Sequence, residues 1–270
     1  MDERDNRPIG IFDSGVGGLT VLQALIRQFP NESFIYLGDT ARVPYGSKSA
    51  RTIERYTIQV AQALLNRSVK LLVVACNTAS ALGLTALRRY CPTPAIGVIE
   101  PGCRLAAATS QQGRIGVIAT RSTIASQAYR QTLADLDSRF EVHSLACPLF
   151  VPLVEEGWHD HPATRLVVES SLQPLQHSGI DTLILGCTHY PLLRPVIQEV
   201  IGPTVRLIDS ASAVAATLAN LPTNLLHRAA PDAVQSVTFL VTDVADRFRE
   251  VAHHFLHHQV AVDQVEMIDL

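Results

Sequence analysis

The sequence predicts an α/β protein of two similar lobes, each a mostly parallel sheet flanked by helices, with the functional site in the cleft between them. Three observations predict it. Apolar runs rich in Val, Ile and Leu alternate with helix-length amphipathic segments. The order of landmarks in the first half of the chain recurs in the second. Each half also ends one apolar run on a cysteine, Cys76 and Cys187, at a point where a helix is expected to begin.

The apolar runs give candidate strands over 9–13, 33–39, 71–76, 95–99, 114–120, 141–146, 182–187, 205–209 and 237–242. Several are continuously apolar rather than alternating, the pattern of parallel strands covered on both faces. Leu19, Leu22, Leu25, Ile26 and Phe29 fall on one helical stripe, and a second helix is expected over 49–65.

The recurrence rests on five landmarks. Gly10-Ile11-Phe12-Asp13 aligns with Gly116-Val117-Ile118-Ala119, and Phe34 with Phe140, both at an offset of 106. Pro44 and Pro152 are 108 apart, and Cys76 and Cys187 are 111 apart. Gly97-Val98-Ile99-Glu100 resembles Arg206-Leu207-Ile208-Asp209 at an offset of 109. A period this long is not that of a solenoid; it indicates two related lobes. The first lobe is expected over 1–99 plus 210–270 and the second over 100–209, with the crossing where Glu100-Pro101-Gly102 interrupts the pattern. The closing stretch would return to the first lobe with a helix over 211–221, a strand over 237–242 and a helix over 244–256. Residues 222–234 read as a loop or short helix.

Composition bounds the function. The chain has 270 residues, 47% of them hydrophobic and 17% charged, enough to bury a good core. The formal net charge is −3 with no basic block, so nucleic-acid binding lacks electrostatic support. The first seven residues are polar apart from Met1, and no apolar run approaches the roughly 18 residues of a membrane span. A cytoplasmic protein with no membrane association is expected. Five cysteines without framework spacing suit free thiols in a reducing compartment. An exposed face on either lobe could make a homodimer.

The chemistry-bearing residues sit where strands end. Asp13-Ser14-Gly15-Val16-Gly17-Gly18 follows a strand and precedes a helix, and its glycines allow a tight turn whose amides could meet a small carboxylate. It fits neither the dinucleotide fingerprint nor a P-loop. A plain strand-to-helix turn explains this motif about as well. A thiol at a strand's carboxyl end and a helix's start is exposed to the positive helix terminus, which can lower its pKa from roughly 8.5. Ligands of parallel sheets also bind at that edge.

One such cysteine is more often structural; two at matching positions point to one acid/base group on each face of a small substrate. Cys91, Cys103 and Cys147 lack such a partner. A redox pair is the rival use of two thiols, but it is usually adjacent in sequence. Asn77, Thr78, Thr188 and His189 follow the thiols and can hold a carboxylate. Asp13 is expected to support Cys76, and His189 to support Cys187. The loop 41–47, with Tyr45 and Gly46, reads as a binding loop whose counterpart offers Glu155. A solvated carboxylate is an equal reading of Glu155. His253, His254, His257 and His258 have metal-like spacing but no completing ligand, so a solvated helix end is expected and no metal. A two-lobed binding protein without catalysis remains the rival class.

Asp13-Ser14-Gly15-Val16-Gly17-Gly18, Pro44-Tyr45-Gly46, Ala75-Cys76-Asn77-Thr78-Ala79 and Gly186-Cys187-Thr188-His189-Tyr190-Pro191 together resemble glutamate racemase, of the aspartate/glutamate racemase family. The likeness runs from Ile9 to about Leu256, and Phe150-Val151-Pro152-Leu153-Val154-Glu155 resembles the family segment with a catalytic-site glutamate. The resemblance implies interconversion of L- and D-glutamate without cofactor, supplying D-glutamate for peptidoglycan. It implies that Cys76 takes the α-proton from D-glutamate and Cys187 from L-glutamate. Asp13 would assist Cys76, and Glu155 and His189 would assist Cys187. Asp13, Ser14, Tyr45, Gly46, Asn77, Thr78, Thr188 and His189 would bind substrate.

Overall fold

The computed structural model describes residues 4–223, 225–256, 262 and 264–270. The first half carries β1 (Ile9–Asp13), α1 (Leu19–Gln28), β2 (Phe34–Gly38), α2 (Ala50–Leu65), β3 (Leu71–Val74), α3 (Asn77–Leu82), α4 (Leu84–Tyr90), β4 (Ala95–Gly97) and α5 (Ile99–Thr109). The second carries β5 (Arg114–Ala119), α6 (Arg121–Ala125), α7 (Ala128–Leu136), β6 (Glu141–Ala146), α8 (Phe150–Glu155), α9 (Pro162–Gln176), β7 (Thr182–Gly186), α10 (Arg194–Ile201) and β8 (Arg206–Asp209). The chain closes with α11 (Ser210–Ala219), β9 (Val237–Val241), α12 (Ala245–Leu256) and β10 (Val265–Met267).

Among the described residues the strands form two sheets. One has the order β10-β9-β2-β1-β3-β4, the other β6-β5-β7-β8, and every pairing is parallel. The order β2-β1-β3-β4 is therefore repeated by β6-β5-β7-β8. Central strands are buried along their whole length, as β1 and β7 show, which is why they read as unbroken apolar runs. The edge strand β6 is only half-buried after its exposed first residue.

The strand registers correct two of the five landmark alignments. Ile9 faces Phe34, and Ile115, its equivalent 106 residues on, faces Val142. Phe34 thus corresponds to Val142, not Phe140. Val74 faces Gly97 and Leu185 faces Asp209, so Gly97 corresponds to Asp209, not Arg206. Leu72 and Leu183, which face Gly10 and Gly116, keep the 111-residue offset of the two thiols. The offset therefore grows along the chain from 106 through 108 and 111 to 112. Each step between matching registers is longer in the second half, by two, three and one residues in turn, and each matching strand pairing there is one residue pair longer.

Two element boundaries also differ from expectation. Glu100-Pro101-Gly102 does not interrupt anything; it lies in the first turn of α5. Proline is accepted there because first-turn amides have no intrahelical acceptor. Cys187 is not followed by an α-helix. A 3-10 turn spans Tyr190–Leu193, and α10 starts only at Arg194. Pro191 and Pro195 remove the amides that would knit these turns into one helix.

The closing segment adds to the first sheet. α11 packs on α1 and α5, α12 on α1, and β9 pairs with β2. β10, which has no strong sequence signal, extends that edge. Residues 222–234 hold no helix or strand where described. No helix among the described residues is long and apolar enough to cross a membrane.

Candidate active site

Parallel sheets bring all their strand carboxyl ends to one edge, and those edges of both sheets meet around one cavity of about 360 Å³. Ser14, Tyr45, Gly46, Cys76, Asn77 and Thr78 line it from the first half, and Glu155, Cys187, Thr188 and His189 from the second. Both thiols reach this one space. Cys91, Cys103 and Cys147 do not line it.

Cys76 is the N-cap of α3. Its sulfur accepts the amide of Ala79 at 3.5 Å and its thiol reaches Ser14 Oγ at 3.7 Å. The expected lowering of its pKa is not found. Burial pushes the thiol up to about 12, and the Asp13 carboxylate adds to the rise, against smaller help from Ala79 and Ser14. Desolvating a thiolate outweighs what one short helix end returns.

Cys187 has a different neighbour. Its sulfur lies 3.8 Å from His189 Nδ1, and His189 Nε2 lies 2.9 Å from Glu155 Oε1. Burial opposes a charge on the ring, but hydrogen bonds to Cys187 and Glu155 and their charges carry His189 up to about 10. The sulfur and the carboxylate on either side of the imidazole thus favour its charged form. Phe255 of α12 closes its far side, edge-on at 5.6 Å.

Asp13 stands behind the cavity wall rather than in it. It is fully buried. Its carboxylate accepts the Gly15 amide at 3.0 Å and the Thr188 hydroxyl at 3.4 Å. Burial raises its pKa, while His189 and the amides of Gly15 and Gly18 pull it back. The glycine-rich turn thus gives the Gly15 and Gly18 amides to the chain's own Asp13, while Ser14 and Gly15 line the cavity. Gly17 answers to a second demand. A Cβ there would sit 2.3 Å from Thr188 Oγ1 and 2.5 Å from His189 Nδ1, so only glycine lets this turn meet the second half.

The remaining predicted residues are placed as follows. The Tyr45 ring lines the cavity, while its hydroxyl donates to buried Asp39, which also takes Arg42 Nε at 2.7 Å. Thr78 Oγ1 lies 3.0 Å from Thr120 Oγ1 and 3.1 Å from Thr123 Oγ1, a hydroxyl cluster joining the halves. Gly46 packs against Thr120, where a Cβ would come within 2.7 Å. Thr120 and Arg121 also line the cavity and were not singled out by sequence. A signal for Thr120 existed: Asp13 aligns with Ala119, so Ser14 aligns with Thr120. His253 is exposed on α12; the side chain of His254, and His257 and His258, lie outside what is described. Among the described residues no group of His, Cys, Asp and Glu could hold a metal ion.

The cavity holds two thiols brought from different sheets, the His189–Glu155 pair beside Cys187, and hydroxyl and amide groups of Ser14, Asn77, Thr78 and Thr188. The model of the Asp/Glu/hydantoin racemase family matches residues 9–218. A glutamate racemase from Geobacter metallireducens is 50% identical over 253 residues, covering 93% of each chain. The structure of a glutamate racemase from Bacillus anthracis is similar with a TM-score of 0.93 at 40% identity, covering 98% of each chain. That of a glutamate racemase from Francisella tularensis, solved in complex with D-glutamate, is similar with a TM-score of 0.90 at 37% identity, again over 98% of each chain.

Proposed function

We propose, from the premise that this chain belongs to the Asp/Glu/hydantoin racemase family, that it interconverts L- and D-glutamate without a cofactor. The observation that carries this is the pair of thiols, one from each sheet, lining a single cavity. Inverting a carbon needs a base on one face and an acid on the other, and one thiol cannot reach both faces of a held substrate.

In this proposal Cys76 removes the α-proton of D-glutamate, and Cys187 protonates the opposite face; the L-isomer runs the reverse. The Cys76 thiol is pushed up to about 12, so it enters as the protonated partner unless Asp13 draws its proton away. His189, charged and 3.8 Å from the Cys187 sulfur, exchanges a proton there, and Glu155 holds the ring in line. The amide and hydroxyl groups of Ser14, Asn77, Thr78 and Thr188, with the Gly46 turn, bind the carboxylates. They stabilise the charge that develops as the α-proton leaves. The cellular role that goes with this activity is cytoplasmic supply of D-glutamate for peptidoglycan.

Polarimetry or circular dichroism of pure L- or D-glutamate with the purified protein and no added cofactor tests the reaction. Loss of optical activity from either isomer is expected. Stable optical activity in the presence of bound glutamate would instead leave a binding protein.

A further inference from the structure

We infer that Tyr129 and Ser210 are positioning residues of this site, acting through Asn77; the inference rests on the glutamate reading above. Asn77 is the first residue of α3, directly after the Cys76 thiol, and is 3% exposed. Its carboxamide oxygen accepts two hydroxyls. Tyr129 OH, from α7 of the second half, donates at 2.6 Å, and Ser210 Oγ, at the start of α11, donates at 3.3 Å. Among the described residues the carboxamide nitrogen is buried and meets no acceptor.

Those facts fix an orientation. A carboxamide has an acceptor end and a donor end, and neither tyrosine nor serine would leave its own hydroxyl proton unused inside a core. With two donors fastened to Oδ1, the NH2 group must point the other way. Asn77 lines the cavity, but its Nδ2 is shielded from solvent and meets no acceptor among the described residues, so an occupant reaches these N–H bonds once what covers them gives way. Free N–H groups in a buried place are costly unless an acceptor arrives, and a substrate carboxylate is one. The clamp therefore holds a donor oriented before substrate binds, and binding need not spend energy turning it.

Tyr129 also reaches the other thiol turn. Its ring packs against Gly186, immediately before Cys187, closely enough that a Cβ on Gly186 would lie 3.1 Å from Tyr129 Cε2. One side chain thus touches the residue after Cys76 with its hydroxyl and the residue before Cys187 with its ring. Its hydroxyl sets the donor; its ring sets the spacing. Removing the hydroxyl alone separates these two duties.

The test is a double-mutant cycle in the full-length protein, using racemisation of D- and L-glutamate and thermal unfolding as readouts. Tyr129→Phe keeps the ring and is expected to raise KM for both isomers by about three- to tenfold, with kcat changed much less, as for loss of one hydrogen bond that serves ground and transition states alike. Asn77→Ala should raise KM further. In the Asn77→Ala background, Tyr129→Phe should then have no additional effect on KM, since the group it orients is gone. Equal effects of Tyr129→Phe with and without Asn77 would mean a general structural role and overturn the inference, as would an unchanged KM in the single variant. If Tyr129→Phe does not fold, Ser210→Ala runs the same cycle with the same two outcomes. A wild-type protein that racemises no glutamate defeats the functional reading instead, and the two failures are told apart by that control.

Discussion

Cys76 and Cys187 follow equivalent strands, β3 and β7, yet the first thiol caps a helix and the second faces an imidazole. Around Cys76 the nearest influences are burial and the negative Asp13, and both hold the proton on sulfur. Around Cys187 stands a ring carried up to about 10 and backed by Glu155. The difference teaches a division of labour. Duplicated backbone brings one sulfur from each sheet to the cavity; unlike neighbours surround the two sulfurs. Two identical thiols would tend to share one state, and a pair of acids or a pair of bases cannot invert a carbon.

The largest expected effect comes from removing either sulfur. Cys76→Ser and Cys187→Ser are each expected to lower kcat by about a hundred- to ten-thousand-fold, the range for a positioned acid or base. The comparison predicts that both losses are severe although the environments differ, because each face is reached by one residue only. A variant that keeps wild-type racemisation in a steady-state assay would break the two-thiol proposal outright.

The next effect separates the partners. Asp13→Asn and His189→Asn should each lower kcat/KM by up to about a hundredfold, the lower part of the same range. The two isomers have equal free energy in water, so kcat/KM must fall equally in both directions for any variant. The asymmetry has to be sought elsewhere, in the primary isotope effect of α-deuterated substrate. With Asp13 neutralised, deprotonation by Cys76 becomes the slow step, so the isotope effect should grow with D-glutamate. With His189 replaced it should grow with L-glutamate. The same pattern in both variants would show that Asp13 and His189 serve the site jointly, through their contact at Thr188, rather than one thiol each.

What the sequence makes legible differs between backbone and side chains. Continuous runs such as Leu71-Leu72-Val73-Val74 and Thr182-Leu183-Ile184-Leu185 announce buried parallel strands, because both faces of a central strand demand apolar residues. The thiols at their ends follow from that placement. The positions of Phe140 and Arg206 misled, since loop insertions shift an alignment without leaving a mark in apolar pattern. Thr120 was legible through the alignment of Asp13 with Ala119, but a lone threonine carries no chemistry to draw attention. Phe255 and Tyr129 were not legible at all. They come from α12 and α7, distant in sequence from the residues they touch, and nothing in a phenyl ring's local pattern says it will close against an imidazole or clamp a carboxamide. The helix start at Cys76 is legible in the sequence, but burial, which sequence does not measure, raises the pKa that a helix start alone would lower.

The mildest test acts on the ring that makes the two sites unlike. Glu155 Oε1 lies 2.9 Å from His189 Nε2 and is one of the groups that raise the ring from 6.5 to about 10. Because the folded value lies above the unfolded one, the charged ring contributes stability that is complete below about 6.5 and is lost as pH rises through about 10. Glu155→Gln keeps a hydrogen-bonding group but removes the charge. The folded value should drop, and the window in which His189 stays charged should end at lower pH. An alkaline limb of kcat/KM governed by His189 is expected to move down by about one to two pH units, the equivalent of one charge-assisted hydrogen bond. Stability measured by urea unfolding at alkaline pH should show a smaller margin over its neutral value in the same direction. The profile of Cys76 should be little affected, since Asp13 and burial set it. A limb that stays where the wild-type places it would mean that Glu155 does not control the ring, and that the contrast between the two thiols comes from Cys187 and His189 alone.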